Sequence, residues 1–183
     1  MIVIDDLLSD FKELKDYACN AEFKVEQNDA DGAYYPAIHL DIPQKFKDSF
    51  IAKIEEVKGF KIKPKMIFLR ANAEGQKEPY QAHNDLNMSD YTCILYMTEV
   101  GGTAFVEHIN TGVNKNDESF YNTWIKDCNN YDAWKINDYC NMQENRALFF
   151  NAEMMHRGEP VEGYGNGKDT RMIMVCFYDR ADY

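Results

Sequence analysis

Apolar residues recur at helical spacing in two places near the N-terminus. Leu7, Phe11, Leu14 and Ala18 share a face over residues 5–19, with Asp5 or Asp6 placed to cap it. Phe46, Phe50, Ile54 and Val57 do the same over residues 44–57, entered through Pro43 and followed by Gly59. The stretch from Asn28 to Pro43 between them reads as a loop from its Asn, Asp, Gly and Pro content. Its tyrosines and His39 can line a cleft or pack, and packing is the commoner use. From residue 65 the period shortens to two. Strands are expected at 65–71, 79–85, 91–98, 103–109, 132–136, 146–151, 154–157 and 171–179, divided by Gly-, Asn- and Asp-rich turns. Helices followed by about eight strands give an α+β fold, a β-sandwich or barrel with helices on one side. Residues 110–145 fit this pattern least and read as an insertion holding a short helix.

Composition narrows the class. A chain of 183 residues, 45% hydrophobic, is expected to form one domain over 1–183, with residues 1–60 as helical support and 65–179 as the β core. No segment has the length of a membrane span, and the N-terminus lacks the layout of a signal peptide. The five cysteines are scattered with no CxxC pair, as in a reducing compartment, so a cytoplasmic location is expected. The net charge of −11 repels phosphate backbones and argues against nucleic acid as partner.

Chemistry concentrates in "PYQAHNDLNMSDYTCILYMTE" and "ALFFNAEMMHRGEP". If residues 79–85 are extended, His83 and Asp85 project to one face, near enough to share a metal ion. Of the other histidines, His156 follows the apolar run containing Leu148 and Phe150. Two histidines and one carboxylate make a facial triad, which leaves positions open on a non-haem Fe(II). An H-x-D pair alone is a weak signal, and each of these residues also has an ordinary role in hydrogen bonding or packing. His39 and His108 are assigned that ordinary role, although Glu107-His108 is also placed to line a pocket mouth.

The order of His83-Asn84-Asp85, the strand "YTCILYMT", "GGTAF", "ALFFNAEMMH" and Arg171 at the last strand resembles the iron- and 2-oxoglutarate-dependent dioxygenases, in particular the prolyl-hydroxylase-like branch. The resemblance covers roughly residues 65–179 and implies a double-stranded β-helix, or jelly-roll, core of the cupin type. It implies His83, Asp85 and His156 as iron ligands. Arg171 would grip the distal carboxylate of 2-oxoglutarate with its planar fork, and Tyr96 would meet the same carboxylate. Thr92, Ile173 and Val175 would line the co-substrate, with Phe177 nearer the substrate. The implied cofactors are Fe(II), 2-oxoglutarate and O2, with ascorbate a candidate auxiliary reductant. The implied reaction is hydroxylation of a C–H bond with release of succinate and CO2. The substrate would be a prolyl or other amino-acid side chain in a protein or peptide, or a small molecule. Asp85 favours hydroxylation, because related halogenases carry a small residue there.

Two departures stand out. The interval from His156 to Arg171 is wide, which makes Lys168 a rival anchor, and Arg70 stands where relatives often carry tyrosine. Arg70 would meet an acidic substrate group or form an ion pair. The loops 31–43 and 110–145 are the expected places for substrate selection. Two other classes stay open: a catalytically silent barrel binding a small acid or a protein, and a zinc-dependent hydrolase using the same ligands.

Overall fold

The computed structural model describes residues 1–29 and 31–181. Among these, a seven-stranded antiparallel sheet runs in the order β1 (Ile2–Ile4), β8 (Ala147–Asn151), β5 (Tyr91–Tyr96), β10 (Arg171–Arg180), β4 (Ile62–Asn72), β3 (Tyr34–His39), β2 (Lys24–Gln27). A three-stranded sheet runs β7 (Trp134–Asn141), β6 (Gly102–His108), β9 (His156–Glu159). The two sheets face each other as a jelly-roll sandwich, the expected α+β, cupin-like architecture. Among the described residues three α-helices accompany them: α1 (Phe11–Ala18), α2 (Gln44–Lys58) and α3 (Tyr121–Asp127).

Strand alternation divides the larger sheet between two cores. On β10, Met172, Met174, Cys176 and Tyr178 join Leu69, Cys93, Leu95 and Phe149 against Leu14, Phe46, Phe50 and Ile54 of the helices. The alternate residues, Ile173, Val175 and Phe177, turn inward with Ile94, Tyr96, Leu148 and Phe150 to meet Phe105 and Cys140 of the smaller sheet. Because both faces are covered, residues 171–178 are buried without a break. Burying a whole side chain such as Phe50 contributes about 1.5–3 kcal/mol, so the helices lock the sheet that carries the inward row. Among the described residues, no helix is long and apolar enough to cross a membrane.

Several expectations change. Residues 5–10 are not helical: Leu7 and Leu8 are buried in an irregular stretch pinned to Asn145, whose side chain accepts from the Leu8 amide and donates to the Leu8 carbonyl, both at 2.9 Å. Helix α1 therefore starts at Phe11, and Asp5 pairs with Arg146 instead of capping. Strands β1, β2 and β3 lie where no strand was expected. They are short or interrupted by Pro36; β1 is held by β8, far along the chain, while β2 pairs with the neighbouring β3, which joins the sheet through β4. Residues 79–85 form no strand. Pro79 and the turn at Asn84–Met88, where Asn84 Oδ1 accepts from the Leu86 amide and the Asp85 carbonyl from Met88, break the extended run. Residues 110–145 hold the expected short helix, α3, and also add a full strand, β7, to the smaller sheet. Their Phe120, Ala133 and Trp134 pack on the outer face of that sheet with Ala82, Ala104, Val106 and Met155.

Candidate functional site

His83 is held by backbone pairing rather than by strand pitch. Its amide donates to the His156 carbonyl at 3.0 Å and its carbonyl accepts from the His156 amide at 2.8 Å, so it joins the edge of the smaller sheet beside β9. Two residues on, the Asp85 amide donates to the Ala152 carbonyl at 2.8 Å, which brings the carboxylate back under the same two rings. His83, Asp85 and His156 thus offer ligand atoms that all lie within 4.8 Å of one another. The Nε2 atom of His83 lies 3.6 Å, and that of His156 3.4 Å, from the carboxylate of Asp85.

The surroundings orient each donor. Nδ1 of His83 lies 2.9 Å from the Gln81 carbonyl, and Nδ1 of His156 lies 2.9 Å from the Met154 carbonyl. A carbonyl can only accept, so both rings carry a proton on Nδ1 and direct Nε2 inward. Burial, with His156 next to it, pushes the His83 pKa down to about 4, which keeps that ring neutral. Asp85 accepts from the Thr92 hydroxyl at 2.9 Å, so β5 fixes the carboxylate. Two imidazoles that direct Nε2 inward and an oriented carboxylate, each with an outer hydrogen bond, suit a divalent metal. The donor set fits one.

Two cavities meet at these residues. The inner one, about 80 Å³, is bounded by the triad, Thr92, Ile94, Ile173, Val175, Phe177 and Arg171, with Asn72, Thr103, Gly158 and Pro160 closing it. Arg171 is 4% exposed. Its Nη atoms donate to Asn72 Oδ1 at 2.9 Å and to the Gly102 carbonyl at 3.0 Å, while its Nε has no partner. Both acceptors are neutral. Burial is the main cause that pulls the Arg171 pKa down, yet a guanidinium remains charged. Gly158 leaves room for it, since a Cβ there would stand 3.2 Å from Nη2. Arg70 lines both cavities and forms an ion pair with Glu78 while resting 5.3 Å from the Tyr35 ring centroid.

Other expected residues lie differently. The Tyr96 hydroxyl is directed at Thr103 Oγ1, 2.9 Å away, and the Cys140 carbonyl, 3.3 Å away, and Tyr96 lines neither cavity. Thr103 stands between it and the chamber. Lys168 is exposed in a short turn at 167–169 and also lines neither cavity. The wide interval between His156 and Arg171 is used structurally. Its connection folds back on the end of β4, where the Tyr164 amide donates to the Asn72 carbonyl at 2.9 Å and the Glu74 amide donates to the Gly165 carbonyl at 2.9 Å. His39 bonds to Tyr17 at 2.6 Å, and His108 is buried against Asp127, Phe120 and Trp134, so both lie outside the site. Asn72, Glu78, Thr103 and Gly158 are site residues that the sequence reading did not select. Asn72 had one legible signal, a polar residue ending an apolar strand.

The outer cavity, about 140 Å³, shares Phe68, Arg70, Tyr80, His83, Asp85 and Phe177 with the inner one and is further walled by Tyr35, Trp124, Met66 and Met88. Trp124 comes from α3 and is fixed by donating to the Ala82 carbonyl at 2.7 Å.

A family model described as a family of unknown function (DUF6445) matches residues 1–161. The chain belongs to this family. The match includes the triad of this DUF6445 chain and ends before Arg171. No curated protein matches the chain by sequence. Solved structures match it in fold. HygX from Streptomyces hygroscopicus, described with nickel and 2-oxoglutarate bound, has a TM-score of 0.59 at 9% identity, covering 100% of this chain and 83% of that one. The non-heme alpha ketoglutarate dependent epimerase SnoN from nogalamycin biosynthesis has a TM-score of 0.58 at 11% identity, covering 97% and 77%. EctD from S. alaskensis, in its apoform, has a TM-score of 0.55 at 12% identity, covering 98% and 72%. At such identities the likeness is one of fold.

Proposed function

We propose that this protein is an Fe(II)- and 2-oxoglutarate-dependent oxygenase that hydroxylates a C–H bond, releasing succinate and CO2. The observation that carries the proposal is a buried guanidinium without an acidic hydrogen-bonding partner, in the same chamber as a two-histidine, one-carboxylate cluster. The charged side chains of that chamber are Arg70, Arg171, Glu78 and Asp85, which cancel when the imidazoles are neutral. A divalent ion adds two positive charges, and a dicarboxylate restores neutrality. Uncompensated buried charge is costly, so a dianion is the ligand this chamber favours once metal is present.

His83, Asp85 and His156 would hold iron, which in this setting supplies O2 activation coupled to oxidative decarboxylation of the keto acid. Arg171 would take the distal carboxylate through Nη and the unpartnered Nε. Thr92 positions Asp85 and contributes wall with Ile94, Ile173 and Val175, which exclude water from the reacting end. We place Tyr96 in a supporting role, holding Thr103 and the floor of the chamber. The motif order supports the prolyl-hydroxylase-like branch. The walled outer cavity holds roughly ten water-sized groups at about 10–15 Å³ each, which supports a small molecule or a single projecting side chain as substrate. HygX has been solved with hygromycin B bound and SnoN with nogalamycin RO, so small ligands enter this fold. Five free cysteines support a reducing, cytoplasmic setting.

The test is anaerobic addition of Fe(II) and then 2-oxoglutarate, watching for the weak visible charge-transfer band of the chelate. Succinate release after admitting air is the second readout. A folded protein that binds Fe(II) but gives neither band nor succinate refutes the proposal.

A further inference from the structure

The outer cavity differs in charge from the inner one: its lining carries an excess of carboxylates, whereas the formal charges of the inner lining cancel. Four charged side chains line it: Glu26, Asp31, Arg70 and Asp85. Arg70 is paired with Glu78, and Asp85 belongs to the triad. Glu26 and Asp31 remain, and among the described residues neither forms an ion pair. Asp31 is held in place by neutral donors, the Ala33 amide and the Tyr35 hydroxyl, each at 2.8 Å. Glu26 lies opposite Tyr35 in the register of β2 with β3, so both carboxylates border one aromatic ring. Across the cavity the rings of Tyr80 and Trp124 are 5.1 Å apart between centroids.

We infer that the outer cavity binds a small organic cation, an ammonium-bearing molecule whose charge is met by Glu26 and Asp31 while its apolar body packs on the aromatic wall. Carboxylates beside aromatic faces attract a cation through both charge and ring quadrupole. An anionic ligand would meet two like charges there, and a neutral one would gain nothing from either carboxylate. The net charge of −11 also raises the local concentration of cations. Because His83 and Asp85 line this cavity as well, a ligand bound in it reaches the metal centre. The inference names the substrate class of the proposed oxygenase and rests on that reading for its catalytic meaning, though not for the binding itself.

The experiment titrates the protein, at low salt and without metal, with 2-phenylethylamine, its N-acetyl derivative and 3-phenylpropionate, followed by saturation-transfer NMR and calorimetry. The amine is expected to bind roughly tenfold or more tightly than the acetamide, the size of one cation–π contact plus exposed charge pairing, and the carboxylate weakest. Glu26→Gln, on the edge strand, should shrink the preference, and Glu26→Gln with Asp31→Asn should erase it. Equal binding of amine and acetamide by the wild-type protein overturns the inference, as does a preference that survives in the folded double variant. The wild-type comparison decides if the double variant does not fold. The Fe(II)–2-oxoglutarate band, recorded on the same preparation, separates the two ideas. A band without amine preference removes only the cation; amine preference without a band removes only the oxygenase.

Discussion

Replacing Arg171 by methionine separates binding from folding more sharply than any other single change. Its guanidinium is buried, makes two hydrogen bonds of 2.9 and 3.0 Å to neutral acceptors, and leaves Nε without a partner. If the site holds a dicarboxylate, the substitution removes one member of a buried charge pair, a loss of about 2–5 kcal/mol. At about 1.4 kcal/mol per tenfold, the 2-oxoglutarate requirement should rise by about 30-fold to a few thousandfold. Without ligand the two lost hydrogen bonds cost about 1.5–3 kcal/mol each, but removing a buried charge returns several kcal/mol of desolvation. These terms offset, so Tm should stay within about 8 °C of the wild type, the shift of about 2 kcal/mol in a domain of this size. Arg171→Met therefore binds 2-oxoglutarate poorly while folding normally. The assay titrates 2-oxoglutarate into anaerobic Fe(II)-loaded protein, with the band as signal and a melting curve in parallel. Lys168→Met, an exposed position outside both cavities, is the control and should change neither. An unchanged titration for Arg171→Met, or the loss appearing in Lys168→Met instead, would refute the reasoning.

Three further outcomes are expected. Thr92→Val removes the hydroxyl that orients Asp85 and should weaken divalent metal binding about 10–100-fold, measured by competition with a chromophoric chelator; full affinity would show that Asp85 needs no positioning from β5. Gly158→Ala places a Cβ about 3.2 Å from Arg171 Nη2, so it should weaken 2-oxoglutarate binding while metal affinity and Tm stay near wild type; an unchanged 2-oxoglutarate titration would show that the guanidinium has room to shift. Phe50→Ala empties a wholly buried place under the larger sheet and should cost about 3–5 kcal/mol, a fall in Tm of about 6–20 °C by calorimetry. A fall below about 3 °C in Phe50→Ala would mean that α2 contributes little to holding the sheet.

The balance of the two cavities explains why Arg70 alone was ambiguous. As one residue on β4 it suits an acidic ligand or an ion pair equally, and only the loop at 73–79, which returns Glu78 beside it, decides for the ion pair. That pairing leaves Arg171 inside without an acidic hydrogen-bonding partner, and Glu26 and Asp31 outside without an ion pair among the described residues.

By itself the sequence determined what local period and chemistry can determine. Helix α2 was legible from Phe46, Phe50 and Ile54 and its Gly59 end, and the inward row Ile173, Val175 and Phe177 from simple alternation on a strand. The types of the three clustered side chains were legible too, because few histidines exist in this chain. Tertiary structure decided how they meet. His83 and Asp85 converge through backbone bonds to His156 and Ala152, which lie far away along the chain, and not through the strand pitch that first suggested them. Strands β1 and β2 escaped notice because an edge strand gains its stability from a partner rather than from its own pattern, and β3 because Pro36 and its turn-forming neighbours mask its run. Tyr96 shows the limit most clearly. Alternation placed its ring on the inward face, but Thr103 and Cys140 of the opposite sheet capture its hydroxyl, and a contact between sheets leaves no trace in the period of either strand.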